Sequence, residues 1–354
     1  MLRHRAVPCS RVPKPTILVC IAVYAEGNVM AIDRREVLCL TGATAAVAAC
    51  PQVARGETYP SRPVRILVGY AAGGGVDIAA RLIGQWLSER LQQQFVVENR
   101  TGAATNIATE AVVRSPADGY TLLLVNAANA INATYYESLS FNFMRDIAPV
   151  AGIGRFPYFM AVSPTFSANT VGEFIAYAKD NPRKVNMGTG GAGGPDHTSG
   201  ELLQLMTGIQ MTHVPYRGTT PALTDLLSGQ VQMVFCTIPS AIQYIKAGTL
   251  RAIAVTSATR LESMPEIPTV GETVPGFESA QWYGVGAPAG TPAAIIATLN
   301  KEIRTALADP KIKARIEELG GVPLSTSPEE FGNFLANETE KMGRVIKAAG
   351  ISVK

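Results

Sequence analysis

The sequence predicts an α/β protein of two domains, with parallel-rich sheets flanked by helices and a ligand cleft between the domains. Three observations lead there. The chain has 354 residues, about two domains' worth. From residue 64 onward, short β-branched runs alternate with stretches of helical period, the pattern of strands covered by helices. Three successive helical stretches close the chain without strands of their own, so they are expected to pack back on the first domain.

Taken in order, Val64-Arg-Ile-Leu-Val-Gly-Tyr70 reads as the first strand. Ile78, Leu82, Ile83, Trp86, Leu87 and Leu91 recur at helical spacing and predict a helix over 76–93. A strand over 95–98, a helix over 106–114 and a buried strand over 120–125 follow. Two separate strand-like runs are expected at 149–153 and 158–162. Then come helix 170–180, strand 184–188, helix 195–207, strand 211–216, helix 220–228, strand 231–235, helix 239–246 and strand 250–256. Prolines 265, 268, 275 and 288 mark a loop around 281–285. Helices over 292–307, 310–319 and 328–348 end the chain. The expected division is 57–154 plus 280–354 as one domain and 155–279 as the other, hinged at two chain crossings.

Composition removes several classes. With 47% hydrophobic and 17% charged residues, the chain is not disordered. It holds no apolar run of 18 residues, so it is not a multi-span membrane protein. The formal charge of +3 misleads: the first 56 residues hold seven of the 31 Lys/Arg and three of the 28 Asp/Glu, leaving 24 bases against 25 acids. That body lacks the basic surplus of a nucleic-acid binder.

Residues 1–56 read as a leader with an export signal. Arg34 and Arg35 precede an apolar run over 37–49, too short to span a bilayer but suited to a signal peptide. The arginine pair fits twin-arginine export, and ordinary secretion fits equally, because Asp33 precedes the pair. An upstream apolar run at 17–25 does not belong to this plan, so Met30 reads as the true start. Ala54-Arg55-Gly56 suits cleavage before Glu57. Val47-Ala-Ala-Cys50 alternatively resembles a lipoprotein box, with a lipid anchor at Cys50. Of five cysteines, Cys9, Cys20, Cys39 and Cys50 lie in the leader, which leaves Cys236 without a disulfide partner in the mature chain.

Two glycine loops carry the chemistry. Tyr70-Ala-Ala-Gly-Gly-Gly-Val-Asp77 lies between a strand and a helix. Glycines let backbone N–H groups converge, and the helix N-terminus adds free donors and a positive dipole end, a combination suited to a carboxylate or phosphate. No Gly-Lys-Ser/Thr follows, so it is not a nucleotide P-loop. Asp77 suits a capping or bracing role. The second loop, Gly188-Thr-Gly-Gly-Ala-Gly-Gly-Pro-Asp-His197, occupies the same kind of position. It contains Gly188-x-Gly190-x-x-Gly193, a formal dinucleotide fingerprint. The acid that should end the next strand is missing, and Arg217 stands there. An Arg could take the 2′-phosphate of NADP, so an exported NADP-dependent or hydrolytic enzyme remains the alternative. Against it, His213 lies in an apolar strand, His197 suits a bracing role, Cys236 has no neighbouring His, and no metal-ligand spacing occurs. No catalytic residue, cofactor or metal is expected.

Further residues then fall into a family pattern. Tyr59-Pro-Ser-Arg-Pro63, the first glycine loop, Val97-Glu-Asn-Arg100, Asp118-Gly-Tyr-Thr-Leu122, His213-Val-Pro-Tyr-Arg-Gly218, Ala222-Leu-Thr-Asp-Leu-Leu227, Leu250-Arg-Ala-Ile-Ala-Val-Thr-Ser257, Pro265-Glu-Ile-Pro-Thr269, Ala287-Pro-Ala-Gly-Thr-Pro292 and Lys347-Ala-Ala-Gly350 occur in order. Over 57–354 the chain resembles the Bug, or tripartite tricarboxylate transporter, periplasmic solute-binding receptors. The resemblance implies a type II-like periplasmic-binding-protein fold. It also implies a monomer that closes on a small organic carboxylate and delivers it to one large and one small membrane subunit, or that serves a sensor kinase. By resemblance, Tyr70, Ala72, Gly73, Gly74 and Asp77 belong to the carboxylate loop. Thr189, Gly190, Gly191, Gly193, Asp196 and His197 hold the distal end of the ligand. Asn126, Ala127, Ala128, Cys236, Thr237, Trp282 and Tyr283 line the rest. The chain departs from the family at Asp196, where a neutral residue is usual, and at Cys236, where Asp is usual. An ionised Asp196 would repel a second carboxylate, so a monocarboxylate with an apolar, amide or amine distal part is expected.

Overall fold

The structure, a computed structural model, describes residues 59–353. The leader features expected above, from Met30 and the arginine pair to the cleavage site and Cys50, lie outside the described residues.

Strand β1 (Val64–Val68) buries Val64, Ile66 and Val68 on one face and Leu67 on the other, leaves Arg65 exposed, and runs into the first glycine turn. Helix α1 (Gly75–Leu91) buries Val76, Ala79, Ala80, Ile83 and Leu87 along one stripe. Asp77 in its first turn and Arg90 in its last both suit the helix dipole, and it stops at Gln92, whose backbone is left-handed at φ 55°. Strands β2 (Phe95–Asn99) and β3 (Thr121–Asn126) flank helix α2 (Asn106–Val113). Helix α3 (Ala127–Tyr135) and the single turn α4 (Phe143–Asp146) are additions to the expected elements. Helix α3 is built from small residues without a large apolar stripe, and it starts on a reciprocal capping box between Asn126 and Asn129.

Strand β4 (Ile147–Val162) is one strand of 16 residues where two runs were expected. Register shifts at Pro149/Ala151 and Gly152/Gly154 absorb the apparent breakers. A Cβ on Gly152 would lie 2.6 Å from the Leu324 carbonyl oxygen, so that glycine marks a close approach, not an interruption. The chain continues through α5 (Val171–Asp180), β5 (Asn186–Thr189), α6 (Pro195–Thr207), β6 (Thr212–Pro215), α7 (Thr219–Leu227), β7 (Met233–Thr237), α8 (Ile238–Lys246) and β8 (Arg251–Val255). It ends with β9 (Ala280–Pro288), α9 (Ala293–Ala308), α10 (Pro310–Glu318), β10 (Val322–Pro323) and α11 (Pro328–Ala349).

The sheet runs β2-β1-β3-β9-β4-β7-β5-β6, with β8 and β10 also on β4. Its two flanks, β2-β1-β3 and β7-β5-β6, are parallel. The junctions through β9 and β4 are antiparallel. Helices cover both faces of each flank. On the first flank, α1, α9 and α10 bury one face around Ile66, Ile83 and Ile303. Residues of α2, α3 and α11 bury the other around Leu67, Val112 and Phe331. On the second flank, α5 and α6 pack with Phe174 and Leu203, and α7 and α8 with Leu226 and Ala241. A fully buried Ile or Leu contributes roughly 1.5–3 kcal/mol. The closing helices divide their packing: α9 lies against α1 and β4, whereas α11 also reaches α6 and sends Val345 into the second flank's core. Among the described residues, no helix is long and apolar enough to cross a membrane.

Candidate ligand-binding site

In each parallel flank, strands end at one edge, and the following loops and helix N-termini gather there, where α/β proteins bind ligands. The first glycine loop leads from β1 into α1. Its N-cap, Gly74, has extended backbone (φ −79°, ψ 166°) and offers no side-chain cap, so the first-turn N–H groups keep no side-chain partner at the cap. Residues 71–75 are exposed. Asp77 does not contribute to that donor set. Its Oδ2 accepts from the Gly73 N–H at 2.9 Å and from Arg81 Nε at 2.9 Å. Its Oδ1 accepts from Arg81 Nη2 and Asn99 Nδ2, each at 2.9 Å. Burial pushes this carboxyl up, but the Arg81, Gly73 and Asn99 hydrogen bonds and the Arg81 charge together bring it down to about 2. Asp77 thus tethers the loop, and Gly73 spends its N–H on that tether. The sequence-predicted Ala72 and Gly74 stay on the exposed rim.

The second loop uses a similar tether. Asp196 Oδ2 accepts from the Gly190 N–H. The Gly193 N–H donates to His197 Nδ1 at 3.0 Å, and His197 Nε2 faces Glu201 at 3.2 Å. Thr189 is fully buried, with Oγ1 at 2.6 Å from His213 Nε2. The His197 and His213 rings stack at 3.7 Å. Burial first, and the His197 charge second, lower the His213 pKa to about 4, so His213 is neutral at pH 7. Gly191 (φ +153°) and Gly193 (φ +71°) shape the turn, and a Cβ on Gly193 would lie 2.6 Å from the Tyr135 ring. The end of α3 therefore sits directly on this loop.

Between the loops lies a group of buried polar side chains that strand periodicity places together. On β9, Gln281 and Tyr283 share one face, and Trp282 takes the other. Tyr283 packs with the α1-side core, and a Cβ on Gly75 would lie 3.3 Å from its hydroxyl oxygen. Asn126 is register partner to Tyr283, is fully buried, and keeps Nδ2 without a hydrogen-bond partner. Gln281 is also buried and its Oε1 is likewise unpartnered. Tyr158, from β4, is pushed well above its ordinary pKa by burial and then by the charges of Asp196, Tyr283 and Tyr70. Tyr70 is raised to about 12 by burial and by Asp196, with Gln281 opposing. Both tyrosines thus remain protonated hydroxyls within the electrostatic reach of Asp196. Burial also raises Asp196, against hydrogen bonds from backbone N–H groups.

The remaining sequence-predicted residues sit as follows. Ala127 is buried in the first turn of α3. Thr237 is the N-cap of α8, and its Oγ1 donates to Ser240 Oγ at 3.0 Å. Cys236 is fully buried in the α7–α8 core, and burial raises its thiol to about 12. Trp282 corrects the expectation. It is 1% exposed, packs against Phe331 and Phe334, and donates its indole N–H to Glu338 at 3.2 Å. Alternation along β9 carries its ring into the α11-side core, away from Gln281 and Tyr283. Sequence reasoning missed Tyr158 and Gln281, although the same alternation would have paired Gln281 with Tyr283. It also missed the turn at Ala103, Ala104 and Thr105. All three have left-handed backbones, with φ of 44°, 48° and 81°, and Thr105 packs against Gly69 beside the first loop.

Comparison with known proteins agrees with this architecture. Residues 79–351 match the family described as tripartite tricarboxylate transporter family receptor. A UPF0065 protein from the tcbD-tcbE intergenic region of Pseudomonas sp. (strain P51) is 34% identical over 317 residues, covering 89% of this chain and 94% of its own. Protein BugT of Bordetella pertussis is 32% identical over 326 residues, covering 91% and 100%. Among solved structures, R. palustris Rpa4515 with adipate superposes with a TM-score of 0.74 at 36% identity, over 83% of this chain and 99% of its own. MatC (Rpa3494) from Rhodopseudomonas palustris with bound malate gives 0.70 at 29% identity, over 81% and 100%.

Proposed function

The chain belongs to the tripartite tricarboxylate transporter receptor family, and from that premise we propose that it is a periplasmic receptor capturing a small organic carboxylate and handing it to a two-subunit membrane transporter. The observation that carries the reading is the uncapped N-terminus of α1, an exposed set of backbone donors at a positive dipole end, with the unpartnered Asn126 Nδ2 on the neighbouring strand end. The carboxylate binds there. The other end of the ligand lies toward Tyr158, Gln281 and Asp196, where an ionised Asp196 disfavours a second carboxylate. Tyr158 and Tyr283 are 5% and 6% exposed, so binding requires the two flanks to part and close again. The domains meet at 154/155 and 279/280, on β4 and just before β9, and ligand favours the closed form through contacts made better there.

This reading assigns no catalysis. The second loop's resemblance to a dinucleotide fingerprint loses weight because Gly190 and Gly193 already spend their N–H groups on Asp196 and His197.

Replacing Gly74 by Asp tests the assignment. A Cβ there meets nothing closer than 3.9 Å, and Asp is a favoured N-cap, so the fold is retained while the anion site is filled by its own carboxylate. Carboxylate affinity, measured by calorimetry on residues 57–354, should fall at least tenfold. Unchanged affinity, or stabilisation of the wild type by NADPH alone, would refute the reading.

A further inference from the structure

The two loop-tethering aspartates differ in one respect. Asp77 is paired with Arg81. Asp196 is 8% exposed and, among the described residues, has no ion pair. The backbone N–H groups of Gly190, Asp196 and His197 hydrogen-bond this carboxyl and the His197 charge acts on it, but the His197 ring forms no ion pair with it, because Nδ1 accepts from Gly193 and Nε2 is turned to Glu201. The stacked His213 is neutral at pH 7. A buried carboxylate without a cation is costly. Asp196 interacts electrostatically with Tyr70, Tyr158 and Cys236. Gln281, whose side chain is directed at Tyr70 and Tyr283, adds a buried carbonyl oxygen without a donor. The distal end of the cleft therefore holds a carboxyl without a countercharge, which burial pushes toward its neutral form, and an unfilled acceptor, with hydroxyls that accept as well as donate.

We propose that this subsite takes an ammonium group, so that the ligand is an aminocarboxylate whose carboxylate lies at the N-terminus of α1 and whose ammonium lies between Asp196 and Gln281. The proposal rests on the carboxylate-receptor reading above and narrows it to one class. A bound ammonium supplies the missing countercharge and the donor for Gln281 Oε1 in one contact. A length-matched dicarboxylate places like charge against Asp196.

The test uses matched pairs on the mature chain: 4-aminobutanoate against glutarate, 5-aminopentanoate against adipate, and 6-aminohexanoate against pimelate. Affinities are measured by calorimetry at pH 7.5. The wild type should prefer the amino member of its best pair by at least tenfold. Asp196→Asn keeps an oxygen to accept from the Gly190 N–H while removing the charge, and should lose that preference or reverse it. Gln281→Leu should weaken the amino ligand about three- to tenfold and leave the dicarboxylate within about twofold. The proposal is overturned if the wild type prefers the dicarboxylate, or if Asp196→Asn leaves the ratio unchanged. In either case carboxylate binding that Gly74→Asp abolishes would keep the receptor reading alive. Absence of binding by every probe, with Gly74→Asp without effect, would remove both.

Discussion

Asp77→Asn isolates the tether of the first loop. The structure gives its size. The folded-state pKa of Asp77 falls from 3.8 to about 2, and at 1.36 kcal/mol per unit the ionised form contributes about 2.4 kcal/mol. Arg81 is 51% exposed, and solvent screening reduces the figure to about 1–2 kcal/mol. Asn is the uncharged isostere and still accepts from the Gly73 N–H. In a protein of this length the variant should therefore melt roughly 2–5 °C lower at pH 7. The pH dependence follows from the sign of the shift. The folded pKa lies below the unfolded one, so the contribution is complete above about pH 4 and disappears as pH falls toward 2. Melting curves of both proteins from pH 7 to pH 2.5 should show a gap that closes only below about pH 4. A gap that stayed constant across that range would mean that Asp77 acts through packing, and would refute the electrostatic argument.

Two further outcomes are expected. Gly193→Ala should destabilise by about 1–3 kcal/mol, because φ is +71° and the new methyl would lie 2.6 Å from the Tyr135 ring. A urea midpoint that falls at constant m-value would bear this out, and an unchanged midpoint would show that α3 yields freely. Cys236, fully buried and held protonated by burial that raises its thiol to about 12, should resist a thiol reagent in native protein at pH 8 and react at once in denaturant. Rapid native labelling would place its sulfur in solvent.

The parts of the fold legible in sequence are those where one physical signal dominates. Helix α6 follows its expected bounds because Pro195 opens it and Gly208 closes it with a left-handed turn (φ 72°). Helix α3 escaped because its buried residues are mostly Ala and Asn, which leave little apolar stripe to count. Strand β4 looked divided because local propensity reads proline and glycine as breaks, whereas register shifts and the approach of Leu324 accommodate them in the folded sheet. The antiparallel seam through β9 depends on pairing between residues far apart in sequence, which no local pattern encodes. The site divides the same way. The glycine loops announce themselves, because only glycine permits such turns. The partners of the loops do not. Tyr158 looks like any strand aromatic until β4 brings it within reach of Asp196.

The two halves of the cleft use one device with opposite electrostatic results. Each glycine loop is held by an aspartate from the first turn of the following helix, Asp77 on Gly73 and Asp196 on Gly190. In the first half Arg81 cancels the tethering charge, so the positive end of α1 faces the cleft unopposed. In the second half no ion pair among the described residues cancels it, and the positive end of α6 is answered by its own carboxylate. An anionic group entering the cleft gains at α1 what it would lose at α6, and a cationic group the reverse. On the aminocarboxylate proposal, orientation of the ligand follows from a single difference, the presence of Arg81 one turn beyond Asp77 and of Gly200 at the matching position after Asp196. An arginine could not simply be moved there, because a Cβ on Gly200 would lie 2.0 Å from the Met187 sulfur. Core packing of α6 on β5 therefore keeps the second tether without a cation one turn on, a role that the proposal assigns to the ligand's ammonium.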